Sequence, residues 1–336
     1  MRYQKRMKIK VQKRYSDIQK TVADSRSVLI VSHSAPDGDS VGSQLAFRNY
    51  ILEHGKDVAV INEGSVPGIY RNLPDVDAVK DIGNYSTRKQ FDLIIALDCS
   101  NLERLGKTEK LIEDNATIIN IDHHPDNTGF GNITLVNKAS SSTAELLTEY
   151  FLGINYAIDK KTALLLYAAI MTDTGRFRYE STSRRTMELA GLLIEKGANP
   201  RKICDDIYFS IPPSVLKLTG KMLESAEFYE DDKICLMQVS RESLEKYNAS
   251  FSDFDGLAEY TLYAKKVMVG ALLKELDDDN IKVSLRSKSN INVSEVARHF
   301  GGGGHRNASG FVMKPSLGIN RQKLLHNLKG LIDASV

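Results

Sequence analysis

The stretch F-D-L-I-I-A-L-D-C-S at 91–100 decides the fold. Its run of Leu, Ile and Ala is too short for a buried helix and rich in residues that suit a strand covered on both faces. It ends on a carboxylate, Asp98. Three similar runs lie around it: S-V-L-I-V-S (27–32), D-V-A-V-I-N (57–62) and A-T-I-I-N-I-D (116–122). Helical patterns separate them. One begins near Ser40 and stops at Gly55; others span 142–151, 160–171 and 184–196, the last closed by Gly197. Strands alternating with helices predict an α/β fold with a mostly parallel sheet covered by helices on both faces.

The pattern changes after Pro200. I-P-P-S at 211–214 interrupts regular structure, and 215–228 reads as a helical connector. Runs at 233–239, 267–276 and 281–287 read as strands, the last two joined by a polar turn at Asp277–Asn280. A helix at 293–300, four glycines, a strand at 309–314 and a final helix follow. The expected organisation is a first domain over 1–196, a linker over 197–225, and a smaller α/β domain with a mixed sheet over 226–336. The length of 336 residues suits this division, at roughly 100–200 residues per domain.

Composition excludes several classes. Forty-five Lys and Arg against 43 Asp and Glu give a net charge of +2, too balanced for a nucleic-acid coat or an acidic disordered tail. The balance is uneven: residues 1–14 hold seven basic side chains and no acid. This segment reads as a solvated helix or tail. The three cysteines form no C-x-x-C pair or disulfide framework, which fits a reducing cytoplasm. The apolar stretch A-L-L-L-Y-A-A-I-M (163–171) falls short of the roughly 20 residues that span a membrane. No apolar segment of a signal peptide follows the basic N-terminus.

The chemistry-bearing residues cluster just after predicted strands. His33, Asp37 and Asp39 follow the first, Asp98 closes the third, and Asp122, His123 and His124 close the fourth; Asp173 follows the helix at 160–171. Ligand sites in open α/β sheets form beyond the carboxyl ends of strands. Each aspartate alone could be a helix cap or turn residue. Together, so many ionisable groups at one sheet edge would repel one another without cations. Carboxylate with imidazole suits Mn²⁺, with Mg²⁺, Fe²⁺ and Co²⁺ as alternatives.

These residues resemble a known family, the DHH phosphoesterases of the DHH–DHHA1 branch. The resemblance rests on H-x3-D-x-D at 33–39 with Gly42, L-D-C at 97–99, D-H-H-P at 122–125, T-D-T-G-R-F at 172–177 and G-G-G-G-H-R-N-A-S-G at 301–310, in family order. N-L-E-R-L-G (101–106) and Y-A-A-I-M-T-D-T-G-R-F (167–177) are most similar to its nanoRNase/pAp-phosphatase group. The resemblance implies two divalent ions, one held by His33, Asp37 and Asp98 and the other by Asp39, Asp98, His123 and Asp173, with Asp98 shared. It implies that His124 faces the substrate phosphate and that Asp122 orients a histidine. The ions are expected to lower the pKa of a shared water and so supply hydroxide for in-line attack on phosphorus. Arg176 joins His124 in stabilising the developing charge. In the second domain, Gly302, Gly303, Gly304, His305 and Arg306, with Arg286, are expected to grip the substrate, with Asn307 and Ser309 as weaker candidates.

The implied substrates are short RNAs (nanoRNA), pAp and pApA, bound without membrane or long duplex nucleic acid; a homodimer is left open. A phosphodiesterase of cyclic-di-AMP turnover and a non-catalytic nucleotide-binding regulatory module are the competing readings. Other conspicuous residues have bland readings. Cys99 is expected to be a buried packing residue, and His54 a cation at a helix end.

Overall fold

The computed structural model describes residues 2–86, 89–249, 256–277, 280–314 and 317–334, with the side chains of 2–10, 277 and 317–320 left aside. The chain divides into two units, Met1–Ser210 and Ile211–Val336.

The first unit is built on a six-stranded, all-parallel sheet. Its strands are β1 (Ser27–Val31), β2 (Asp57–Asn62), β3 (Val79–Asp81), β4 (Leu93–Leu97), β5 (Thr117–Asp122) and β6 (Ile133–Val136), arranged in the order β3-β2-β1-β4-β5-β6. The four apolar runs are the four central strands. The edge strands β3 and β6 are short and were not expected. The strand order reverses between β1 and β4, which pair in parallel from Val28↔Leu93 to Val31↔Ala96. Loops leaving those two strands diverge to opposite sides and open a crevice at their carboxyl ends.

Helices cover both faces, in different ways. One face carries α1 (Arg2–Asp24), α2 (Gly38–Glu53), α3 (Thr143–Gly153), α4 (Lys160–Asp173) and α5 (Arg184–Glu195). Val28, Ile30, Leu93 and Ile95 pack there against Phe47, Tyr50, Tyr150, Phe151 and Leu166. The opposite face, with Leu29, Val31, Ile94 and Ala96, is covered by 3₁₀ segments at Ile82–Asn84 and Glu103–Leu111. Helix α1 anchors through buried Tyr15, Ile18 and Val22. Residues 11–14, one turn further out in the basic segment, are all exposed.

Helix α2 is buried almost throughout although much of it is polar. Its polar side chains are paired: Gln44 and Asn62 exchange two amide hydrogen bonds of 2.8 Å, and Asn49 donates to Thr162 at 3.1 Å. It crosses α4 at Gly42, where a Cβ would stand 2.7 Å from the Leu165 carbonyl oxygen and 2.8 Å from Ala169 Cβ. Gly42→Ala is therefore expected to destabilise the protein by about 1–3 kcal/mol through overpacking. Urea unfolding should show a lower midpoint with an unchanged slope.

The second unit is a six-stranded mixed sheet, ordered β11-β12-β10-β9-β8-β7. Its strands are β7 (Glu227–Tyr229), β8 (Ile234–Val239), β9 (Val269–Asp277), β10 (Asn280–Ser287), β11 (Gly303–His305) and β12 (Ala308–Met313). Strands β8 and β9 pair in parallel and the other neighbours antiparallel. Helices α9 (Val293–His299) and α10 (Leu317–Asp333) carry Val293, Val296, Leu324 and Leu328 into the core on one face. On the other face lie α7 (Pro213–Glu224) and α8 (Arg241–Tyr247), the latter unforeseen.

The 197–225 stretch expected as a linker divides between the units. Helix α6 (Pro200–Tyr208) buries Ile203 and Ile207 in the first core, and α7 buries Val215, Leu218 and Met222 in the second.

Candidate metal centre

The sheet order delivers the predicted ligands to one crevice. His33 and Asp37 leave β1, with Asp37 as N-cap of α2 and Asp39 in its first turn. Asp98 leaves β4 with φ of 53°, a left-handed conformation uncommon for a residue with a side chain. Its amide donates to the Ile121 carbonyl at 3.0 Å, which ties the turn to β5. Asp122 ends β5, His123 and His124 follow, and Asp173 is the last residue of α4. All except Asp37 and Asp173 are buried.

These residues form tight groups. The ligating atoms of His33, Asp37 and Asp98 lie within 4.8 Å of one another, as do those of Asp39, His123 and Asp173. Asp98 joins the groups with one oxygen toward each: Oδ2 is 3.5 Å from His33 Nε2, and Oδ1 is 3.6 Å from His123 Nε2. His123 Nε2 is 3.3 Å from Asp173 Oδ2 and 4.0 Å from Asp39 Oδ2.

Divalent cations fit this donor set on two observations. Two ligands roughly 2.0–2.2 Å from one ion stand about 3–3.5 Å apart, close to the separations found. The imidazoles are also oriented for the task. Nδ1 of His33 donates to the Ser34 carbonyl at 2.9 Å, and Nδ1 of His123 to the Ser140 carbonyl at 3.3 Å. A carbonyl oxygen only accepts, so in both rings Nδ1 carries a proton and Nε2 faces the carboxylates. An outer oxygen holding the second ring nitrogen is the usual support of a metal-binding histidine.

His124 has a different partner. Its Nδ1 is 2.7 Å from Asp122 Oδ1, while Asp122 Oδ2 accepts from Asn127 at 2.6 Å. Asp122 is fully buried and its carboxyl is held below the ordinary range: burial pushes it up, but the His124 hydrogen bond and charge outweigh that.

The electrostatics show what the carboxylates do without cations. Burial, reinforced by the charges of Asp98 and Asp173, pushes Asp39 well above the usual carboxylate range. Asp173 rises for the same reason, with Asp37 and Asp98 as its charged neighbours. Asp98 goes the other way. Burial would raise it, but the His33 hydrogen bond and the charges of His124, His33 and His123 hold it well down. The three imidazoles are raised in turn, their desolvation outweighed by the facing carboxylates. The metal-free centre thus retains protons that a cation would displace.

The substrate candidates are placed as follows. Arg176 sits in a left-handed turn with Gly175 and Phe177, and its guanidinium stacks 4.9 Å over the Tyr208 ring. In the second unit the four glycines do not form one open loop. Gly301 (φ 79°) ends α9, Gly302 packs against Gly310 and Phe311, and Gly303 and Gly304 enter β11. Register pairs His305 with Ala308 and Ala308 with Arg286. Directly paired residues share a sheet face, so His305 and Arg286 flank a small residue on one side. Arg306 donates to the Asn290 carbonyl at 2.7 Å, and Asn307 donates to Ser287 Oγ and the Ser289 carbonyl, both at 2.9 Å. These two side chains fasten the 287–291 loop; Ser309 is buried.

Cys99 is fully buried, its thiol pushed up to about 12 by burial and donating to the Asn101 carbonyl, as a packing residue should be. His54 caps the end of α2, with Nδ1 2.8 Å from the Tyr50 carbonyl. Sequence reasoning missed Ser40, whose hydroxyl donates to Asp98 Oδ2 at 2.7 Å and lies 2.9 Å from His33 Nε2. Its place beside Asp39 was the available signal.

The chain belongs to the DHH–DHHA1 family of phosphoesterases. The family model "DHH family, N-terminal domain" matches residues 27–170 and "DHHA1 domain" matches 231–333. Among curated proteins, it is similar to the "Probable bifunctional oligoribonuclease and PAP phosphatase NrnA" of Streptococcus mutans, 29% identical over 84% of this chain and 88% of that one. It is 26% identical to the "Bifunctional oligoribonuclease and PAP phosphatase NrnA" of Bacillus subtilis, over 88% and 92% of the two chains. Among solved structures, an exopolyphosphatase-related protein from Bacteroides fragilis superposes with a TM-score of 0.86 at 28% identity, covering 96% of each chain.

Proposed function

We propose that this protein is a two-metal phosphoesterase that hydrolyses short oligoribonucleotides to mononucleotides and pAp to AMP and phosphate. The observation that carries this reading is Asp98, with one carboxylate oxygen toward each of two ligand groups. His33, Asp37 and Asp98 hold one divalent cation, and Asp39, Asp98, His123 and Asp173 the other, with Mn²⁺ favoured by the mixed imidazole and carboxylate donors. When bound, the cations supply Lewis acidity to the phosphoryl group and a water of lowered pKa. Asp122 holds the Nδ1 proton of His124 and so fixes which ring edge meets a substrate phosphate oxygen. Arg176, Arg286, Gly302, Gly303, Gly304, His305 and Arg306 are the substrate contacts of this reading. Arg306 donates to the Asn290 carbonyl at 2.7 Å and Arg286 to the Leu285 carbonyl at 2.9 Å, contacts that each would exchange for substrate in this reading.

The substrate class is taken from the relatives named as oligoribonuclease and PAP phosphatase. Among the described residues no helix is long and apolar enough to cross a membrane. The test is a side-by-side measurement of kcat/KM for pAp, pApA and RNA dimers to pentamers with Mn²⁺. Turnover of pAp and the short RNAs is expected. Preference for pApA alone would assign the enzyme to cyclic-dinucleotide turnover instead. No turnover of any of them would overturn the reading.

A further inference from the structure

The hydroxyl-rich stretch S-S-S-T-A-E at 140–145 has no role so far beyond opening α3. It touches three of the centre's side chains. The backbone N–H groups of Thr143 and Ala144 donate to Asp39 Oδ2 and Oδ1 at 2.7 and 3.0 Å. The Thr143 hydroxyl donates to Asp98 Oδ1 at 3.2 Å. The Ser140 carbonyl accepts from His123 Nδ1. Asp39, Asp98 and His123 are all assigned above to the same cation.

Ordinary helix capping does not account for these contacts. Ser142 already caps α3, its side chain accepting from the Glu145 amide at 3.0 Å. A Thr in a first helical turn is commonly free to face solvent, yet Thr143 is fully buried. Valine has nearly the same shape and avoids burying a hydroxyl, so packing alone does not call for Thr here. The segment is also locked from behind. Buried Glu145 Oε2 accepts from the Ser141 hydroxyl at 2.6 Å and from the Thr186 hydroxyl of α5 at 2.7 Å.

We propose that Thr143 is a positioning residue for the metal centre, setting the Asp39 and Asp98 carboxylates against each other, with Glu145, Ser141 and Thr186 as the lock that fixes its segment. The proposal rests on the metal reading above. Thr143 bonds one carboxylate through its backbone and the other through its side chain, so it sets their relative placement while leaving their remaining lone pairs for cations. Outer hydrogen bonds of this kind commonly carry about 10–100-fold in metal affinity.

The test uses the full chain and Mn²⁺ as the probe, titrated calorimetrically and by the loss of the free Mn²⁺ electron-resonance signal. Thr143→Val removes the hydroxyl and keeps the amide; Thr143→Ser restores the hydroxyl. Thr148→Val is the control. Thr148 is a buried Thr of the same helix whose hydroxyl donates only to the Ala144 carbonyl, at 2.8 Å. Thr143→Val is expected to weaken Mn²⁺ binding about tenfold and to lower kcat with little change in KM. Thr143→Ser should bind close to wild type, and Thr148→Val should keep wild-type affinity. If Thr143→Val binds Mn²⁺ as wild type does, or if Thr148→Val weakens binding equally, the positioning role is overturned and the metal reading stands. A wild-type chain that binds no Mn²⁺ overturns both.

Discussion

Asp98→Asn is expected to lower kcat on pAp and on short RNA by about three to four orders of magnitude, some 4–5.5 kcal/mol of transition-state stabilisation. Asp98 lies between both ligand groups, so one substitution weakens the hold on two cations at once. The loss should appear first in Mn²⁺ binding, as a fall in stoichiometry or affinity at both positions. The fold should survive. Asparagine tolerates the left-handed backbone that Asp98 adopts at φ 53°. Its carbonyl oxygen still accepts from a neighbouring hydroxyl, whether Ser40 or Thr143. Circular dichroism should therefore stay near wild type while activity disappears. Activity within tenfold of wild type would show that Asp98 is not the shared ligand.

How far such a centre can be read from sequence depends on what each residue's position encodes. The central strands were legible because 27–32, 57–62, 91–98 and 116–122 are apolar on both faces. The candidate ligands stood out because all but Asp173 close or follow such a run, and Asp173 follows the apolar helical stretch at 160–171. Strands β3 and β6, with three and four residues, are edge strands set by pairing to their neighbours rather than by their own composition. The strand order is a long-range property, and no local pattern announces that β4 lies beside β1. The same holds for 301–304. Four glycines suggested a stretch that grips substrate, but Gly302 and Gly304 are also required by close approach to β12, which lies several residues downstream. Thr143 was invisible for a related reason. Its partners Asp39 and Asp98 are distant in sequence, and only the fold brings α3 to them.

The pH dependence of the centre supplies the second large effect, and its sign differs between the metal-free and metal-loaded protein. Asp39, Asp173, His33, His123 and His124 all have raised pKa values without metal. A raised folded-state value means that the native state binds more protons than the unfolded chain. For the carboxyls the stabilising difference is complete below the ordinary value of 3.8 and is lost as pH rises through the folded-state value. For the imidazoles it is complete below 6.5 and lost in the same direction. Asp98 and Asp122 have lowered values and act oppositely, but their window lies below 3.8. Above that window, the chelator-treated protein should melt at progressively lower temperature as pH rises from 6 to 8. Cations reverse this slope because they must displace the protons of the ligands among these groups, Asp39, Asp173, His33 and His123. Each displaced proton weakens apparent binding up to about tenfold per pH unit below the group's pKa. Mn²⁺ should therefore bind more tightly at pH 8 than at pH 6, releasing protons that calorimetry in buffers of different ionisation enthalpy will count. The gain in melting temperature on adding Mn²⁺ should widen over the same range. A gain that is constant or shrinks with rising pH would mean that these groups do not hold the metal.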